Sequence, residues 1–234
     1  MNKEEFLNTI KGHVIVSCQA VKGEPLYVEE KSIMYLMARA AKQAGTPAIR
    51  TSSVRDVVAI KEETGLPVIG LIKRQYEGFD TYITTTMKEV DELVEAKSDC
   101  IAIDCCFSKR GDGKDIRDFM KEVRAKYPEQ ILMADISTFD EAKNAQDLGF
   151  DIVSTTMSGY SKHTADKDKT VPDFELLEEC VKNLDIPVVC EGRVHTPEQA
   201  VEALDRGAFA VVVGGAITRP LEIATRFIKA VDNR

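Results

Sequence analysis

Residues 131–155 read ILMADISTFDEAKNAQDLGFDIVST. A short apolar run, Ile131–Asp135, is followed by a segment of helical period, Glu141–Leu148, then Gly149, then a second apolar run, Ile152–Thr155. Two strands joined through a helix in this way run parallel, because a tight hairpin cannot connect them. Gly149 stands where the helical pattern stops, the place of a left-handed cap.

The same unit recurs in both directions along the chain. Apolar or β-branched runs occupy His13–Gln19, Ala48–Thr51, Pro67–Lys73, Cys100–Asp104, Ile131–Asp135, Ile152–Thr155, Pro187–Glu191 and Ala210–Gly214. Helix-forming segments such as Lys31–Ala44 and Pro197–Arg206 separate them, and Gly45, Gly65 and Gly207 repeat the cap of Gly149, with Lys97 in the equivalent place before the fourth run. Eight βα units in 234 residues predict an α/β fold of the closed (β/α)8 TIM barrel type, one catalytic domain over residues 1–234. The competing doubly wound sheet announces itself by G-x-G-x-x-G after its first strand, whereas the first run here ends Ser17-Cys18-Gln19-Ala20.

Composition narrows the function. With 44% hydrophobic residues the chain can bury a sizeable core, which excludes wholesale disorder. Its 31 basic and 39 acidic residues leave a net charge of −8, so it is a poor coat for nucleic acid or an anionic membrane, and an anionic small molecule requires a local basic pocket. No apolar run approaches the ~18 residues of a membrane helix, and MNKEEFLNTI lacks the features of a signal peptide, so a cytoplasmic protein is expected. The cysteines at 18, 100, 105, 106, 180 and 190 contain no C-x-x-C and read as small buried hydrophobes. His13, His163 and His195 have no ligand spacing on one helix or strand, so no metal is expected.

In such a barrel the carboxyl ends of the strands form the catalytic mouth. The residues there are Gln19, Arg50, Lys73, Asp104, Asp135, Thr155 and Glu191, followed by Gly214-Gly215, and Thr155 is expected among the substrate contacts. A lysine closing the apolar run from Pro67 is partly desolvated, which lowers its pKa and makes a neutral base or nucleophile. Glu191 closes the seventh run, four strands away and therefore on the opposite wall. The loops after the seventh and eighth runs, with Gly192-Arg193 and with Gly214-Gly215 leading to Arg219-Pro220, have the glycines, helix start and guanidinium groups of a phosphate site.

Five segments carry a resemblance: Gly70-Leu71-Ile72-Lys73-Arg74, Met133-Ala134-Asp135-Ile136-Ser137-Thr138, Thr155-Thr156-Met157-Ser158-Gly159-Tyr160, Glu191-Gly192-Arg193-Val194-His195-Thr196-Pro197-Glu198 and Val213-Gly214-Gly215-Ala216-Ile217-Thr218-Arg219-Pro220. In this order, and over about Val16 to Pro220, the chain resembles the N-acetylmannosamine-6-phosphate 2-epimerase family of bacterial sialic acid catabolism. Mild departures are Asp104-Cys105-Cys106, Met157 and Ser161. The resemblance implies a cofactor-free epimerase of phosphorylated amino sugars. Lys73 and Glu191 would carry the chemistry, Gln19, Arg50 and Asp135 would contact substrate, and Arg219 with the Gly214-Gly215 loop would clamp the phosphate. Two rivals use the same residues differently: a Schiff-base aldolase with Lys73 as nucleophile, and a catalytically silent phosphosugar-binding regulator. The expected partner is the small molecule alone, without nucleic acid or membrane, and a homodimer is left open.

Overall fold

The computed structural model describes residues 1–168 and 170–234. Eight strands, β1 (Val14–Ser17), β2 (Ile49–Ser52), β3 (Val68–Leu71), β4 (Cys100–Asp104), β5 (Ile131–Asp135), β6 (Ile152–Ser154), β7 (Val188–Glu191) and β8 (Ala210–Val213), pair in parallel in chain order, and β8 closes on β1. Helix α1 (Lys3–Ile10) precedes the barrel. Between consecutive strands lie α2 (Met34–Gln43), α3 (Val54–Thr64), α4 (Met87–Glu95), α5 (Ile116–Lys126), α6 (Phe139–Asp147), α7 (Phe174–Asn183) and α8 (Pro197–Asp205), and α9 (Pro220–Asp232) follows β8. The barrel expected from the alternation of runs is the fold, and closure of β8 on β1 removes the open sheet from consideration.

Local chemistry sets the element ends. Thr138 accepts from the Glu141 backbone while the Glu141 carboxylate reaches back to Thr138, so α6 begins at Phe139, two residues ahead of the periodic segment. Gly149 has φ of +80°, and Lys97 takes the same left-handed conformation at φ +60° where a glycine would be expected. The third run contains a shorter strand than its apolar pattern suggests. Beyond Leu71 the Thr84 side chain and backbone bond Ile72, and Lys73 pairs antiparallel with Ile83, which carries the chain out of the barrel ladder.

Alternation along each strand sorts the apolar residues into two cores. Ile49, Val68, Ile101, Leu132, Val153, Val188 and Val211 face outward to the helices. Ile15, Ile69, Ala102, Met133, Ile152, Val189 and Val212 fill the barrel, together with Phe6 and Ile10 of α1, which are fully buried. Helix α1 lies beneath the amino ends of the strands, tied by Lys3 to Asp151 just ahead of β6 and by the Gly12 N–H to the Phe209 carbonyl. It is a lower stopper that the run-by-run reading does not contain. Helix α9 differs from the others among the described residues in burying no side chain fully, and it exposes Leu221, Phe227, Ile228 and Val231.

Candidate active site

The inward parity that fills the barrel with apolar side chains continues to its upper end, where the residue types change. Two positions beyond Ile15, Ala48, Leu71, Ala102, Met133, Ile152, Val189 and Val212 stand Ser17, Arg50, Lys73, Asp104, Asp135, Ser154, Glu191 and Gly214. One polar ring thus caps the inner core. Above it opens a pocket of ≈910 Å³, a volume that counts the open solvent at its mouth. Gln19, Arg50, Lys73, Glu191, Gly192, Arg193, Gly214, Gly215 and Arg219 all line it.

Arg50 anchors the floor. Its Nη2 lies 2.6 Å from Asp135 Oδ2, its Nη1 3.1 Å from Asp135 Oδ1 and 3.2 Å from Glu191 Oε2. Burial works against its charge, but Asp135 and Glu191 outweigh that cost and hold the guanidinium protonated above its ordinary value. Asp135 is fully buried and does not line the pocket; it braces Arg50 from below. Burial raises the Glu191 carboxyl above the usual range, with Arg50 pulling it down and Asp135 pushing it up. Lys73 is lowered to about 8, chiefly by burial and further by the Arg219 and Arg50 charges, so about a tenth of it is neutral amine at pH 7 and about half at pH 8.

Thr155 is corrected by the structure. It has the outward parity of Val153, lies outside the pocket, and holds the backbone of Glu191 through its hydroxyl, which donates to the Glu191 carbonyl at 2.9 Å and accepts from the Glu191 N–H at 3.1 Å. Its neighbour Thr156 lines the pocket. The Thr156 hydroxyl stands 2.8 Å from Asp135 Oδ1 and 3.0 Å from Glu191 Oε2, and 2.8 Å from the Ser154 hydroxyl. A period-two count carried one step past Ser154 finds it.

At the rim, Arg193 adopts φ of +57°, stacks over Tyr160 at 5.3 Å and donates to the Asp168 carbonyl. Gly159 leaves room for it, since a methyl there would fall 2.0 Å from Arg193 Nη2. Arg193 therefore ties the loop after β6 to the pocket wall. Arg219 is bonded by two carboxylates, Glu24 at 3.1 Å and Glu222 at 2.9 Å. Glu24, Tyr82 and Tyr160 come from connecting segments and Glu222 from the first turn of α9, places that strand-end reasoning does not reach.

The remaining candidates are structural. Asp104 is 1% exposed, and burial raises its carboxyl to about 6 while the Cys106 N–H bonds it. All six cysteines are buried and unbridged, and burial pushes the Cys105 and Cys106 thiols well up, away from thiolate chemistry.

A lowered amine and a raised carboxyl on facing walls, beside an arginine and a glycine pair, make an acid–base site with an anion subsite. The comparisons agree with that chemistry. Residues 34–233 match the family model described as "Putative N-acetylmannosamine-6-phosphate epimerase". Relatives carrying the same description for a 2-epimerase are 52% identical over 222 residues in Clostridium perfringens (95% of this chain, 98% of theirs) and 46% identical over 230 residues in Caldanaerobacter subterraneus (98% and 95%). The solved N-acetylmannosamine-6-phosphate 2-epimerase from Clostridium perfringens superposes with a TM-score of 0.90 at 50% identity, covering 96% of each chain. Thiamine phosphate pyrophosphorylase from Pyrococcus furiosus, at 18% identity and a TM-score of 0.59, shares the fold alone. On this match over almost its whole length, the chain belongs to the N-acetylmannosamine-6-phosphate epimerase family.

Proposed function

We propose that this enzyme interconverts N-acetyl-D-mannosamine 6-phosphate and N-acetyl-D-glucosamine 6-phosphate by removing and returning the proton at C2. In the open-chain sugar the C2 hydrogen lies beside the C1 aldehyde. Breaking that C–H bond sends its electron pair into the C1 carbonyl as an enolate, with the acetamido group still on C2, and a proton delivered to the opposite face of C2 inverts the centre. Electrons are neither gained nor lost overall, so the conversion requires no redox carrier.

The observation that carries this reading is the facing of Lys73 and Glu191 across one pocket. A neutral lysine with a pKa near the working pH is an effective general base. A carboxyl held above its usual range is able to give up a proton as well as take one. Arg50 and Gln19 line the wall around the reacting carbons, with Asp135 and Thr156 fixing Arg50 and Glu191 from behind. Arg219, Gly214 and Gly215 would receive the phosphate, whose binding energy holds C2 against the two bases. We place the reaction in the cytoplasm; none of the described helices is long and apolar enough to cross a membrane.

The test is incubation with N-acetylmannosamine 6-phosphate in D₂O, followed at C2 by NMR. Deuterium entering C2 together with appearance of the gluco isomer is expected. A borohydride-trapped adduct on Lys73 would assign it instead as an imine-forming nucleophile.

A further inference from the structure

The proposed phosphate seat holds an anion from the protein itself. Glu222 is the third residue of α9, and its Oε1 lies 2.9 Å from Arg219 Nη1. Its Oε2 lies over Gly215, so close that a methyl on that glycine would come within 1.9 Å of it. The carboxylate thus sits between the guanidinium and the glycine loop, at the start of a helix, where anions are favoured. A second carboxylate, Glu24 Oε1, meets the other side of the same guanidinium at 3.1 Å. Two carboxylates thus share the one Arg219 guanidinium. A phosphate dianion arriving there meets repulsion unless a carboxylate withdraws.

Withdrawal is easy for Glu222. Its side chain is 42% exposed, and among the described residues its ion pair is with Arg219. Glu24 is held more firmly, because its Oε2 also accepts from the Val21 N–H at 3.0 Å, within its own loop.

We propose that Glu222 tunes substrate affinity by occupying the phosphate seat between turnovers and being displaced by the phosphate of the substrate. The proposal rests on the assignment of Arg219 to the phosphate. Its consequence is that phosphate affinity is held below what Arg219 and the glycine loop could give, since every binding event breaks the Glu222–Arg219 pair. Release of product is correspondingly assisted, because the carboxylate re-enters as the phosphate leaves.

The experiment measures KM for N-acetylmannosamine 6-phosphate and inhibition by inorganic phosphate in the wild type and in Glu222→Gln, Glu222→Ala, Glu24→Gln and Arg219→Ala. Glu222→Gln keeps the shape and removes the charge, so KM and the phosphate inhibition constant should both fall about three- to fivefold, the order expected for loss of one half-exposed ion pair. Glu222→Ala should do the same, and Glu24→Gln should give a smaller gain. An unchanged or raised KM in both Glu222 variants would overturn the proposal and leave Glu222 as a support that steadies Arg219. The assignment beneath it is read separately. If Arg219→Ala abolishes phosphate inhibition while the Glu222 variants do not tighten it, the seat stands and only the role of Glu222 falls. If Arg219→Ala leaves phosphate inhibition intact, both fall.

Discussion

Arg50 and Asp135 form a two-point ion pair inside the barrel, at 2.6 and 3.1 Å, with side chains 1% and 0% exposed. Neither charge can be left alone there. A buried pair broken on one side is costly because the remaining charge has lost both water and partner. Arg50 also touches Glu191 at 3.2 Å, so the pair decides how much of the guanidinium is free to act on the carboxyl of the reacting wall.

Asp135→Ala should therefore destabilise the fold by about 3–5 kcal/mol, read as a lowered urea midpoint by circular dichroism. Glu191 would become the sole counter-ion of Arg50, and turnover should fall with stability. An unchanged midpoint would show that Glu191 alone neutralises the guanidinium.

Lys73 gives a pH signature with a definite sign. Its pKa is lowered to about 8, so it is an ammonium below that pH and an amine above it. If the amine is the base, kcat/KM rises with pH and levels off above about 8, and Lys73→Ala loses about 10²–10⁴-fold in rate. Lys73→Arg should not restore it, since guanidinium stays protonated. Stability changes in the same direction, over a higher pH range. The folded pKa lies below the ordinary lysine value of 10.5, so the folded state is penalised increasingly as pH falls from 10.5 towards 8 and by a constant amount below that. Lys73→Met should melt higher than wild type at pH 7. A rate that declines between pH 6 and 8 would contradict the base assignment.

Glu191→Gln keeps the shape of the side chain and removes its titrating proton. Inversion should fail while substrate still binds. In D₂O, exchange at C2 of one sugar without formation of its epimer would mark Lys73 as the base for a single face. Full epimerase activity in the variant would remove Glu191 from the chemistry.

The adjacent threonines should separate cleanly. Thr156→Val loses the hydroxyl shared by Asp135 and Glu191, bonds to charged groups worth about 1.5–3 kcal/mol, so kcat should drop by about ten- to a hundredfold with KM little changed, and Thr156→Ser should recover most of it. Thr155→Val should instead lower the melting temperature, because its hydroxyl holds backbone groups of Glu191. The reverse pattern would return the substrate-side role to Thr155.

How far the sequence reaches is itself a matter of parity and local contact. Eight apolar runs with caps at Gly45, Lys97 and Gly149 are enough for the barrel, since each run is too short and too apolar to be anything but a buried strand. Lys73 and Glu191 stand out because a charge that ends an apolar strand has only the mouth to point into. The apolar run Ile152–Thr155 extends one residue past the end of β6, and that single step exchanges the inside of a barrel for its outside. Helix α1 is eight residues long with a capping box at Asn2, too brief for its period to stand out beside the barrel helices. Glu24 and Glu222 lie 198 positions apart in the chain, and their meeting on Arg219 follows only from closure of β8 against β1.

Phe6 and Ile10 make the barrel a blind well. Whatever enters from the mouth must turn round and leave by it, so the manno and gluco sugars share one doorway and one phosphate seat. Neither direction of the reaction has a private exit. The two sugars must then exclude each other, each acting as a simple competitor of the other's conversion, and net flux will follow whichever of them the surroundings remove first.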